Sequence, residues 1–179
     1  MRLIPVVLFV VLFTGPTPAR GQSVVLDAAA GPTLGDSGWS VAAGMGVSPT
    51  PRVTITGNVE RSHLVSRRQE YPGSVSYFRG GTFTLASAEL RLSLFGRDRI
   101  SPYALAGFGV GRSRPNVNDV FPTPVVHSVR APFAGGGVHV PFGSRATFFA
   151  DVRLALIVGT EADDLYALVP LRAGLSWRF

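Results

Sequence analysis

Histidine, cysteine and carboxylate build most catalytic and metal sites, and this chain holds few of them. It has three histidines, His63, His127 and His139, no cysteine and 11 acids. Without cysteine there is no disulfide framework and no thiolate ligand. No His and carboxylate group has metal-ligand spacing and no phosphate-cradling glycine loop opens a helix, so no metal or cofactor is expected. His127 and Ser128 are adjacent, but consecutive strand residues face opposite ways, a poor geometry for a nucleophile and its base. No catalytic residue is assigned. The remaining charges are spaced differently. Glu89 and Arg91, like Asp151 and Arg153, stand two apart, which on a strand places an acid and a base on one face.

Those pairs sit in segments that alternate with a period of two, the signature of strands with one apolar face. Val53, Ile55 and Val59 alternate with Thr54, Thr56, Asn58 and Glu60. Ala86, Ala88, Leu90, Leu92 and Leu94 alternate with Ser87, Glu89, Arg91 and Ser93. Leu171, Ala173, Leu175, Trp177 and Phe179 alternate with Arg172, Gly174, Ser176 and Arg178. Turn residues divide the chain into eight strands, at 23–31, 39–48, 52–63, 81–95, 103–112, 131–142, 146–158 and 166–179. Their lengths centre on the roughly 9–11 residues that a tilted strand needs to cross a bilayer. Connections at 49–51, 96–99 and 143–145 are short. Those at 64–80 and 113–130 are long and polar. Short turns on one side against longer loops on the other is the pattern of transmembrane barrels.

The N-terminus points to export. Arg2 precedes an apolar run over Leu3–Phe13, and Ala19 and Gly21 supply small residues before Gln22. Residues 1–21 read as a signal peptide, with the barrel domain over 22–179. The run falls short of the roughly 20 residues of a membrane-spanning helix. The expected fold is all-β: an eight-stranded antiparallel up-and-down barrel in the outer membrane. A soluble periplasmic β-barrel or sandwich has the same periodicity with its faces inverted. All 17 basic residues are arginine, and the net charge is +6. A basic chain can bind nucleic acid, but export makes anionic lipid the more fitting partner.

With apolar faces toward lipid, the lumen receives Asp27, Glu60, Glu89, Arg91, Asp151, Arg153 and Arg172. An eight-stranded barrel is just wide enough for side chains to fill, and buried charges must pair. A structural charge network is therefore expected rather than acid–base catalysis. Inward glycines, among them Gly44, Gly107, Gly135 and Gly137, leave room for the long arginines. Arg61, Arg67, Arg68, Arg79, Arg112, Arg114 and Arg130 fall at or beyond the outer strand ends, where guanidiniums could hold lipopolysaccharide phosphates. The plainer reading is a set of solvated loop charges, partly offset by Glu70 and Asp119. Aromatic residues gather near strand ends. Trp39, Tyr77, Phe78, Phe83, Phe133 and Tyr166 lie toward the outer side. Phe95, Tyr103, Phe142, Phe148, Trp177 and Phe179 lie toward the inner side. Two belts at the headgroup levels are the expectation.

Three stretches carry a family resemblance. Ser101–Gly111, reading SPYALAGFGVG, resembles a central strand of OmpA/OmpX-like small outer-membrane barrels. Ala134–Phe142 with Phe148–Arg153 is similar to their sixth and seventh strands. Gly174–Phe179 resembles their terminal strand, which implies that Trp177 and Phe179 form the signal read by the barrel-insertion machinery. The resemblance implies a monomer in the Gram-negative envelope, in contact with outer-membrane lipid and lipopolysaccharide. For want of converging polar groups, the expected role is structural or one of surface interaction, without enzymatic activity. A narrow pore and a lipid A-modifying barrel are the alternatives, though the His-x-Ser pattern of a lipid A deacylase is absent. Larger relatives add a peptidoglycan-binding domain after the barrel; that activity is not expected here.

The mature chain is expected to begin at Gln22 and to sediment with outer membranes. Removing Phe179 should lower the inserted fraction without changing synthesis. Recovery of the native protein in the soluble periplasmic fraction would contradict the membrane reading.

Overall fold

The computed structural model describes residues 23–34, 38–71, 74–78, 80–96, 98–117, 122–123, 125–159 and 166–179. The segment 1–21, expected to be a signal peptide, lies outside them. Every element is a strand: β1 (Ser23–Leu34), β2 (Gly38–Thr50), β3 (Val53–Leu64), β4 (Arg67–Tyr71), β5 (Ser74–Phe78), β6 (Gly81–Ser93), β7 (Ser101–Pro115), β8 (His127–Phe142), β9 (Ala146–Ile157) and β10 (Tyr166–Arg178). Eight of them close a barrel in the order β1-β10-β9-β8-β7-β6-β3-β2, every neighbour antiparallel. The eight strands match the segments read from the periodicity. They run further at the outer end, with β7 reaching Pro115 and β8 starting at His127. The long 64–80 connection is not a plain loop. It carries the hairpin β4–β5, paired from Arg67↔Phe78 to Tyr71↔Ser74.

Closure follows from the register. Paired residues can be followed once around the wall, from Ser128 on β8 through Arg112, Thr84, Arg61, Val41, Ala30, Ala173 and Ala150. The path returns to β8 at Val138, ten residues further on. This stagger tilts eight strands by roughly 40° from the barrel axis. A strand of 12 residues, the length of β3, then rises about 30 Å. The last backbone N–H, that of Phe179, donates to the Val24 carbonyl at 3.0 Å. The chain terminus therefore takes part in the seam that joins β10 to β1.

The alternation sorts the side chains as period two requires. On β3, Thr54, Thr56, Asn58, Glu60, Ser62 and Leu64 are buried, while Ile55, Val59 and Arg61 are exposed. Leu90, Leu92, Val110, Val152, Leu154, Leu171, Leu175 and Trp177 also face outward. The outside is thus apolar and the inside polar, the inverse of a soluble barrel. This is the arrangement of a wall whose solvent is hydrocarbon, where only a closed barrel satisfies every strand hydrogen bond.

The aromatic belts need correction. Phe95, Phe142, Phe148, Trp177 and Phe179 are exposed at the inner end, and Trp39 at the outer. Phe83, Phe133, Tyr103 and Tyr166 do not join them, because their positions share parity with the lumen residues of their strands. Phe83 and Tyr166 stack inside, with ring centroids 5.9 Å apart. Strand-end position alone placed these rings, and parity decided their face. Three inward glycines likewise serve rings rather than arginines, among them Gly107, where a Cβ would run into the Phe133 ring. A Cβ on Gly137 would lie 2.8 Å from Tyr103 Cζ, and one on Gly174 2.7 Å from Phe149 Cζ. Each ring lies over its direct register partner, a close approach that only glycine permits.

Candidate functional site

The lumen is built in layers. At the outer end Leu64, Phe83, Leu85, Val129, Ala131, Ala155, Ile157 and Leu168 form one buried apolar cluster, with Phe133 and Tyr166 packed against it. Below it come the charges. Below those, Tyr103, Leu105 and Phe149 form a second cluster, with the His139 ring stacked on Tyr103 at 4.1 Å. Hydroxyls close the inner end. Ser48 Oγ and Thr54 Oγ1 are 2.8 Å apart, and Ser93 Oγ lies 3.3 Å from His139 Nδ1.

The structure places all seven expected lumen charges inside, each buried. They are the only Asp, Glu and Arg side chains buried among the described residues. They form a single chain in which acids and bases alternate. Asp27 Oδ2 meets Arg91 Nη1 at 2.7 Å. Arg91 Nε donates to Glu89 Oε1. Glu89 Oε2 meets Arg153 Nη1 at 2.6 Å, and Arg153 Nε meets Asp151 Oδ1 at 3.3 Å. Asp151 Oδ2 accepts from Arg172 Nη2 at 2.9 Å, and Arg172 Nη1 reaches Glu60 Oε2 at 3.3 Å. Each arginine bridges two acids. The order of strands is β1, β6, β9, β10 and β3, so the chain laces opposite walls together.

Two of these contacts were legible at a spacing of two, Glu89–Arg91 and Asp151–Arg153. The others cross the lumen, and only closure of the barrel brings them together. The rings around the network lay hidden in the same way. The Arg91 guanidinium sits 4.9 Å from the Phe149 centroid and 5.9 Å from that of Tyr103. Arg153 sits 5.3 Å from the Phe133 centroid. The Tyr103 hydroxyl donates to Asp151 Oδ2 at 2.9 Å, and Ser62 Oγ donates to Glu60 Oε1 at 3.3 Å. Faces of aromatic rings and hydroxyl donors thus take up the charge surface that the ion pairs leave. The signal for Tyr103 and Phe149 was their parity with Leu105 and Asp151.

Beside the small residues Ala29, Ala42 and Gly44 a seam runs past Asp27, Asn58, Arg91 and Arg172, too thin for a water molecule. His127 and Ser128 point to opposite sides, with Ser128 exposed and His127 turned inward. Among the described residues no group of three or more His and carboxylate side chains could hold a metal.

The outer arginines divide. Arg61, Arg112, Arg114 and Arg130 are exposed on the outside of the wall. Arg67 and Arg68 lie on β4, apart from the barrel sheet. Arg79 lies outside the described residues. Arg61 and Arg112 flank Thr84 in one register row that continues to Ser128. Arg130 pairs with Val110.

No protein-family model and no curated protein sequence matches the chain. Solved structures do match in shape. The N-terminal β-barrel domain of Pseudomonas aeruginosa OprF has 13% sequence identity and a TM-score of 0.61, covering 88% of this chain and 97% of that one. Neisserial surface protein A has 16% identity and a TM-score of 0.64, covering 89% and 97%. Ail of Yersinia pestis, solved with the heparin analogue sucrose octasulfate, has 15% identity and a TM-score of 0.54, covering 90% and 100%. At these identities the likeness is one of fold, and the fold is that of small outer-membrane barrels.

Arg91→Ala removes the ion-pair partner of Asp27 and one of the two bases that hold Glu89. It should lower unfolding stability by roughly 3–5 kcal/mol, the cost of leaving a buried partner unpaired. Urea titration of the inserted barrel in lipid vesicles reads this. A loss below about 1 kcal/mol, the scale of an exposed pair, would contradict the network's structural weight.

Proposed function

Taking the chain as an eight-stranded barrel of the outer-membrane type, we propose that it is a sealed, non-enzymatic barrel whose function lies at its outer surface. The supporting observation is the layered lumen, in which an apolar cluster stands above a cross-linked charge network. An ion entering from outside would have to leave water against Leu64, Phe83, Ile157 and Leu168, at a high desolvation cost. It would then have to displace arginines that each hold two carboxylates. The narrow-pore reading finds no such passage in the seam beside Asp27. The lipid A-modifying reading needs a nucleophile and base open to the membrane. The Ser93–His139 contact is buried inside the inner end of the barrel, where His139 has 0% exposure, and His127 and Ser128 diverge.

The closed sheet has no free barrel edge, which suits a monomer. The signal peptide directs export, and Trp177 and Phe179 serve the insertion machinery. Outside, the arginines face the outer-leaflet lipid and lipopolysaccharide. The sucrose octasulfate bound to Ail belongs to that protein, but it is an instance of polyanion binding on this barrel fold. The proposed role is therefore structural or one of surface interaction.

Purified barrel inserted into a planar bilayer should give no steady conductance steps. Large and stable channels would overturn the sealed-lumen reading and favour the pore.

A further inference from the structure

The outward charge is confined to one side of the wall. The outward positions of β9, β10, β1 and β2 carry no charged residue, and at their outer ends stand Val158, Val169, Leu34 and Trp39. The opposite half, β3, β6, β7 and β8, carries Arg61, Arg112, Arg114 and Arg130 on its outside and no acid. None of the four arginines forms an ion pair with a described residue. Thr84 and Ser128 stand in the row with Arg61 and Arg112. Among the described residues the face is therefore a lattice of guanidiniums and hydroxyls, rich in donors and without an acid.

Its height identifies what it meets. Arg112 follows Val110 by one outward step on β7, and the apolar outward run continues down to the exposed Ile100. Ten residues at this tilt make about 25 Å, the height of the apolar band of such barrels. Arg112 thus stands where hydrocarbon ends, and Arg61, two strands down the sloping register row, lies about 6 Å lower, from where its long side chain reaches up to the headgroups. The arginines lie on the lateral wall, so their neighbour is a lipid rather than a solute above the loops. Arg61 and Arg112 are two strands apart, about 10 Å. Arg130 lies diagonal to Arg112, about 7–8 Å away. A single headgroup bearing two phosphates can meet all three. Its acyl chains would lie along Val59, Val110 and the exposed Phe108.

We propose that the β3–β6–β7–β8 face is a docking site for one diphosphorylated glycolipid of the outer leaflet. The phosphates would be held by Arg61, Arg112 and Arg130, and the opposite wall would have no such site. The proposal rests on the outer-membrane reading and deepens its surface role. Guanidinium forks suit phosphate bidentately, and no outward position of the described barrel strands carries an acid that would compete.

Barrel folded in mild detergent is incubated with diphosphorylated lipid A or with lipid A stripped of both phosphates, and native mass spectrometry counts the retained lipid. One diphosphorylated molecule per barrel should be retained, and the stripped lipid lost. Arg61→Gln with Arg112→Gln and Arg130→Gln should weaken retention by roughly tenfold or more, since three charge-assisted contacts go. Arg52→Gln with Arg145→Gln, on the inner turns, should leave retention unchanged. Heat-modifiable migration verifies that each variant is folded. Equal retention of both lipids by the unaltered barrel would overturn the proposal without needing any variant. So would full retention by the folded triple variant. Displacement of the lipid by a soluble sulfated sugar but not by inorganic phosphate would reassign the face to glycans and also overturn it. Bilayer conductance does not depend on this lipid, so a failed lipid assay leaves the sealed-lumen reading standing, and the converse holds too.

Discussion

A barrel of eight strands encloses a column of side chains and nothing else, and in a membrane that column has no water to fall back on. A polar inner face is the price of an apolar outer one, because the pleat alternates. Every charge that the alternation sends inside must find its counter-charge there. The seven-member chain from Asp27 to Glu60 meets this demand. Three arginines serve four carboxylates, and aromatic rings and hydroxyls cover what remains. The network, the rings seated over Gly137 and Gly174, and the apolar cap all follow from that one constraint. Removing a base leaves two acids exposed to each other across the lumen. On the proposed reading the network also closes the interior to ions.

The outside obeys the complementary rule. Hydrocarbon tolerates no outward charge over the middle of the wall, and none is found among the described strand residues. Where hydrocarbon ends, the constraint lifts on one side only. Arg61, Arg112, Arg114 and Arg130 appear together over β3, β7 and β8, while β9, β10, β1 and β2 stay apolar to their ends. Uniform solvation of loop charges would give no such division. The barrel thus has a chemically defined front and back within the plane of the membrane.

Much of the fold was legible because period two is a strong signal in a chain whose outer face is apolar. The eight barrel strands, the inward charges and the long outer connections follow from it. The hairpin β4–β5 did not, since Arg67–Glu70 is a polar run without alternation and the alternating Ser74–Tyr77 is too short to stand out as a strand. The faces of Phe83, Phe133, Tyr103 and Tyr166 were misjudged because nearness to a strand end was weighed above parity. Pairings such as Arg91 with Asp27, or Arg172 with Glu60, depend on the ten-residue stagger and on closure, neither of which is local to any segment. The one-sided grouping of outer arginines is likewise invisible until the register is known. The register sets Arg61 and Arg112 on either side of Thr84 in one row.

The central claim is that the lumen charges act as one alternating chain with one more acid than bases. Equilibrium unfolding of Asp27→Asn, Arg91→Gln and the double variant in lipid vesicles tests it most directly. Asp27 has Arg91 as its ion-pair partner and ends the chain, so neutralising it leaves three acids against three bases and a balanced formal charge. The account predicts that Asp27→Asn alone costs little, that Arg91→Gln costs much, and that the double variant is more stable than Arg91→Gln. Strictly additive losses, with the double variant the least stable of the three, would contradict it.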